Sequence, residues 1–104
     1  MIVRVHESAE TDQYSAAARL EARKSGVGFR LIREYNTALE LIECQPHLNS
    51  LVDDPIPNRE IRNAPILRAS YRIIYEVRPV ECVILAVVDS RRRSGNWHDR
   101  IHGV

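Results

Sequence analysis

Apolar positions along the 104-residue chain change their period twice. Ile2-Val3-Arg4-Val5-His6 is short and β-branched, the composition of a strand. From Ala9 to Lys24 the chain is rich in Ala, Leu, Glu and Arg, all good helix formers. Ser8 is the expected N-cap of this helix, with Glu10 and Asp12 in its first turn, where the helix dipole favours anions. Ser25-Gly26-Val27-Gly28 then supplies a stop and a turn. Between Phe29 and Cys44, apolar residues Ile32, Tyr35, Leu39 and Ile42 recur at helical spacing, flanked by Leu31 and Ala38. Gln45-Pro46 ends that helix. A linker of about four residues predicts that the two helices form an antiparallel hairpin.

The second half of the chain has strand character. Residues 47–58 hold Asn49, Asp53, Asp54, Pro55, Pro57 and Asn58, and form a loop too long for a tight turn. Glu60–Leu67 reads as a strand, with Pro65 restricting it to a sheet edge or a bulge. Tyr71–Val77 is strongly strand-like, residues 78–81 turn the chain, and Cys82–Val88 is apolar throughout. A strand apolar on both sides belongs in the middle of a sheet. The expected fold is α+β: an N-terminal strand, a helical hairpin, then a three-stranded antiparallel meander, with the helices on one sheet face. One domain covers residues 1–104, without repeats or low-complexity tracts.

Composition narrows the class. A hydrophobic share of 44% describes a globular chain rather than a disordered one. No apolar run reaches the roughly 18 residues of a membrane helix, and the N-terminus lacks a signal-peptide core. The expected location is therefore a cytoplasm, with no membrane partner. Cys44 and Cys82 form no CxxC motif and read as reduced, semi-buried small hydrophobes. Charge is divided unevenly. Residues 1–58 carry six Lys/Arg against nine Asp/Glu, and residues 59–104 carry nine Arg against five Asp/Glu, so −3 and +4 sum to the net +1. Every cation of the second half is an arginine, whose planar fork suits phosphate and carboxylate. The basic half points to an acidic or polyanionic partner, or to an ordinary solvated surface.

Common catalytic fingerprints are absent: the chain has no GxSxG, P-loop or GxGxxG. His98 and His102 stand four apart with only Asp99 nearby, short of a metal-ligand set, so no metal or cofactor is expected. Arginine remains. Arg68 precedes the third strand, Arg72 lies on it, and Arg91, Arg92 and Arg93 follow the last one. A meander gathers these guanidiniums near one patch, with Tyr71 and Trp97 close by. Aromatics among arginines suit stacking on exposed bases, and the same set suits an acidic protein tail. The alternative is that Tyr71 is core, Trp97 packs the tail onto the sheet, and the arginines pair with Glu60, Glu76 or Asp89.

The ordered set 68-RASYRIIYEV-77 and 83-VILAVVDSRRRSGNWHDR-100, supported by Asp12, 28-GFRLIREYNTAL-39 and Pro46, resembles the RelE/ParE toxin superfamily over nearly the whole chain. The resemblance implies the toxin of a type II toxin–antitoxin system, neutralised by a cognate antitoxin. RelE-like members cut mRNA in the ribosomal A site. On that pattern Arg68, Arg91 and Arg93 would be catalytic, and Trp97 stands where a catalytic tyrosine is expected. Trp donates an N–H but has no titratable hydroxyl, and the basic lysines expected mid-chain are missing. ParE-like members inhibit DNA gyrase and have a longer helical hairpin, as here from Ala9 to Pro46. The ParE-like reading makes Tyr71, Arg72, Arg92 and Trp97 target-binding residues; a third alternative is a non-toxic relative of the fold that acts as a binding partner.

Overall fold

The computed structural model describes residues 1–92 and 97–103. The elements follow the expected order: β1 (Ile2–Val5), α1 (Glu7–Arg23), α2 (Val27–Cys44), β2 (Glu60–Ile66), β3 (Tyr71–Val77), β4 (Glu81–Asp89) and the short α3 (Trp97–Arg100), which runs into a 3-10 turn at Ile101–Gly103. The class is α+β, with one qualification on the sheet. Its order is β1-β4-β3-β2. The meander β2-β3-β4 is antiparallel, but β1 joins β4 in parallel, from Ile2↔Glu81 to Val5↔Ile84. The whole sheet is therefore mixed.

Both helices start earlier than the sequence suggests. The N-cap of α1 is His6, whose Nδ1 accepts the Ser8 N–H at 2.9 Å, so Ser8 lies inside the helix. An imidazole nitrogen serves here as the acceptor that Ser usually provides. In α2, Gly26 is the N-cap at φ 93°, a left-handed backbone that glycine adopts at no steric cost, and Gly28 is helical. Gly26 has no side chain to cap with. Glu21 of α1 takes that role across the hairpin, accepting the Gly26 N–H at 2.8 Å and the Gly28 N–H at 2.9 Å. Those N–H groups hold the Glu21 carboxyl below its usual range, Gly26 contributing most.

The sheet is covered on both faces. On one, Ala9, Ala16 and Ala17 of α1 and Leu31, Tyr35 and Ile42 of α2 pack on Ile66, Tyr71, Ile73, Tyr75 and Ile84. On the other, Trp97 and Ile101 pack on Ile61, Ile74, Val83 and Leu85, with Val52 and Ile56 of the long loop beside them. This explains why β4 is apolar at nearly every position and central. The long loop also covers the outer edge of β2, through Val52 N–H to Ile61 O at 3.0 Å and Asn63 N–H to Ser50 O at 2.9 Å. Pro65 thus sits on an edge strand, as its missing N–H requires. The bulge lies elsewhere: the β3–β4 register steps from Ile74↔Ala86 to Tyr75↔Ile84, leaving Leu85 as the extra residue.

Backbone groups at that bulge are satisfied from outside the sheet. β1 ends at Val5, opposite Ile84, so β4 loses its neighbour where the bulge begins. Asp12 of α1 accepts the Val87 N–H at 3.1 Å, and Arg100 of α3 donates to Leu85 O at 2.9 Å. The two side chains also pair directly, Arg100 Nη1 to Asp12 Oδ2 at 2.7 Å. Cys82 is buried, as expected of a small hydrophobe, whereas Cys44 is exposed at the end of α2.

Two substitutions test this architecture. Asp12→Ala strands the Arg100 guanidinium and the Val87 N–H together, and is expected to cost about 2–3 kcal/mol in denaturant unfolding, the scale of hydrogen bonds to charged groups. A loss within experimental error would show that the clamp is dispensable. Gly28→Ala would place a methyl 2.4 Å from the Ala17 carbonyl oxygen and 2.9 Å from Glu21 Cβ. Alanine's better helix propensity, worth about 1 kcal/mol, is expected to be outweighed by an overpacking cost of about 1–3 kcal/mol. A raised midpoint would refute the close approach of the two helices.

Candidate functional site

The arginines singled out in the sequence separate onto two faces of the sheet. Arg72, on β3, points to the α3 side, where its Nη1 donates to Asn63 Oδ1 at 2.6 Å. It lines a polar cleft of about 560 Å³ with Arg92, Asp53, Asp54, Asn49 and one wall of Trp97. Arg68 and Arg91 lie on the hairpin side, in a groove of about 670 Å³ between the helix linker and the β2–β3 turn. Arg92 belongs to both regions, because it also lines a small pocket of about 50 Å³ beside that groove with Arg19, Arg23 and Arg91. Arg93 lies outside the described residues.

Tyr71 and Trp97 are not the open stacking platforms that interleaved aromatics suggest. Tyr71 is 4% exposed and Trp97 is 2% exposed. Tyr71 sits on the helix-facing side of β3 and is held in the larger core, while Trp97 seats α3 on the opposite face. Its ring stacks on His98 at 3.8 Å between centroids, and His98 Nε2 pairs with Asp54 Oδ2 at 3.1 Å. Large aromatics bury more apolar area than any other side chain, so a small domain gains most by enclosing them. In this conformation neither ring offers a face to a base.

Many of the remaining cations are structural. Arg59 and Arg78 share the buried carboxylate of Glu76, at 3.0 and 2.8 Å, and Arg62 pairs with Glu60 at 2.7 Å. Arg100 is bound to Asp12. Arg19, Arg23, Arg68 and Arg92 are exposed and make no ion pair among the described residues. Arg91 is 74% exposed and donates to Asp89 at 3.0 Å. That guanidinium, together with the Arg91 N–H, holds the Asp89 carboxyl below its usual range. The apparent division into an acidic front and a basic back therefore dissolves in three dimensions. Arg19 and Arg23 of α1, with Arg30 of α2, join Arg68 and Arg91 on one surface. Sequence reasoning missed these three because they sit in a segment with net negative charge. Their spacing on exposed helix faces beside the linker was the only available signal.

The groove is shaped by a strained turn. Ile66↔Tyr71 closes the β2–β3 hairpin, and Leu67, Arg68 and Ala69 occupy the left-handed region at φ 48°, 54° and 68°. Each such residue costs about 1–2 kcal/mol relative to its right-handed form. Glu34 of α2 holds the turn, its Oε1 accepting the Leu67 N–H at 2.7 Å while its Oε2 accepts from Arg30 Nε at 2.8 Å. The Leu67 N–H first, and Arg30 second, keep the Glu34 carboxyl below its usual range. A group with a depressed folded pKa stabilises the fold above its ordinary value, 4.5 here, and loses that contribution as pH falls through the lowered one. Glu34→Gln is accordingly expected to flatten the acid limb of a plot of denaturant midpoint against pH. An unchanged limb would show that Glu34 does not hold the turn.

Among the described residues, no helix is long and apolar enough to cross a membrane. The sequence matches no known family model and no curated protein sequence. The fold does have a counterpart among solved structures. A chain of the structure titled "Chromosomal ParDE TA system from P. aeruginosa" superposes with a TM-score of 0.70 at 11% identity, covering 86% of this chain and 95% of that one. At that identity the likeness is one of fold.

Proposed function

We propose that this chain is the toxin of a type II toxin–antitoxin pair, ParE-like, silenced by a cognate antitoxin and acting on DNA gyrase when released. The observation that carries this reading is the shared fold with a protein from a ParDE system, nearly end to end on both chains. Fold alone assigns no function. The surface adds to it, since Arg23, Arg30, Arg68 and Arg91 on the hairpin side make one basic region for a target to meet, while the cleft sets Arg72 and Arg92 against Asp53, Asp54 and Asp89. Guanidiniums grip anions and do not exchange protons near neutral pH. Trp97, buried and without a titratable hydroxyl, adds no acid or base. Both features support gripping a target over cutting RNA.

Expression from an inducible promoter in bacteria, without the antitoxin, is expected to arrest growth, and the purified chain is expected to inhibit gyrase supercoiling. Substituting Arg68→Ala with Arg91→Ala should relieve the arrest while lowering the melting temperature only modestly, because Arg68 is exposed without an ion pair among the described residues and Arg91 gives up one pair, to Asp89. Normal growth with soluble protein present would sink the toxin reading. Arrest accompanied by mapped mRNA cleavage, with supercoiling intact, would replace gyrase with the ribosome as target.

A further inference from the structure

The two edges of the sheet are finished differently. The outer edge of β2 is covered by the long loop, through the bonds of Val52 to Ile61 and of Asn63 to Ser50. The other edge is β1. Its backbone direction is set at its end, where the His6 N–H donates inward to Ile84 O at 2.9 Å. Successive residues of a strand turn their N–H and C=O to opposite sides, so Ile2, Arg4 and His6 face β4 while Val3 and Val5 face outward. Among the described residues, no other strand or loop backbone bonds these outward groups. Exposed edges are commonly guarded by a standing charge, a proline or a covering segment. In β1 the one charged residue, Arg4, is folded back onto Glu81, Nη2 to Oε2 at 2.8 Å. Ile2 is 71% exposed, the one large apolar strand residue left so open among the described residues. Residues 2–5 line neither the groove nor the cleft.

We propose that β1 pairs with β1 of a second copy of this chain, antiparallel about a two-fold axis at Val3, so that the four strands of each copy join in one continuous sheet. A two-fold perpendicular to the sheet keeps both helical hairpins on the same face and makes the contact closed, with the same residues on each side. Register follows from the backbone and from charge. A slip of one residue would turn the outward groups away from each other and flip the faces. With the axis at Val3, the two Val3 residues exchange both of their hydrogen bonds. Ile2 then stands opposite Arg4 of the second copy, over its aliphatic stem, while that guanidinium keeps its own Glu81. Moving the axis to Arg4 would also align outward groups, Val3 with Val5, but it sets the two Arg4 side chains directly opposite, where like charges destabilise. The segment is thus complementary to itself in one register, which is what selects a second copy as the occupant. An edge of four residues makes a small contact, so the dimer is weak and forms with rising concentration.

The test is sedimentation equilibrium of the purified full chain from about 1 μM to about 1 mM, the range in which weak association shows. Monomer is expected to give way to dimer across that range. Ile2→Lys places a cation opposite Arg4 at both symmetric positions and is expected to weaken the dimer about tenfold, with little change in the thermal melt because Ile2 is exposed. Amide hydrogen exchange of the wild-type chain, followed by NMR, reads the edge directly and does not rely on the variant folding. The Val3 N–H is expected to exchange more slowly as concentration rises, while the Arg4 N–H is protected at every concentration. A chain that stays monomeric throughout would overturn the proposal, whatever other strand binds this edge. A dimer that Ile2→Lys leaves intact, or whose formation does not slow Val3 exchange, would place the contact elsewhere and overturn it equally.

Discussion

Asp12 and Arg100 meet at the edge of β4, where β1 has ended and the strand carries an extra residue. A bulge in a central strand leaves backbone groups unpaired, and a buried unpaired group costs as much as a lost hydrogen bond. Here the carboxylate takes the Val87 N–H and the guanidinium takes the Leu85 carbonyl. The same two side chains come from opposite layers, one from the helical hairpin and one from α3. Their pairing therefore links both layers to one point of the sheet. With Arg100 in place, Trp97 and Ile101 are laid over the second face, and β4 is buried on both sides.

The hairpin is positioned with similar economy. Gly28 lets α2 approach the α1 backbone closely, and Glu21 reaches across to cap α2. Because α2 is fixed in this way, Glu34 arrives at the β2–β3 turn and holds Leu67, whose left-handed backbone would otherwise relax. Strain of this kind persists only where surrounding contacts over-determine it, and such sites are often functional. The outcome is that Arg68 and Arg91 share a groove with Arg23 and Arg30, residues distant in the chain.

These placements separate two kinds of arginine. Arg59, Arg62, Arg78 and Arg100 are used within the fold, each on a carboxylate that would be costly to leave unpaired. Arg19, Arg23, Arg68 and Arg92 point outward beside the groove and cleft. Like charges gathered on one surface repel, so their arrangement destabilises the isolated domain slightly and favours an anionic partner. Any partner that binds the folded chain adds stability by mass action.

Much of this architecture was legible in the residues. Period and breakers alone place both helices, restrict Pro65 to an edge or a bulge, and put the apolar run Cys82–Val88 in the centre, because hydrophobic spacing and backbone chemistry act locally; the sheet order then decides for the edge. Helix starts were less legible: His6 caps in place of Ser8, and Gly26 caps α2 only because Glu21 lies across the hairpin. The candidate site was legible in kind, as arginines at the sheet's end, but not in membership. Whether Tyr71 and Trp97 face solvent or core depends on which layer covers each sheet face. Whether Arg19 and Arg23 join Arg91 depends on how α1 crosses the sheet. Burial and long-range charge are properties of the packed molecule, so only tertiary structure could decide them.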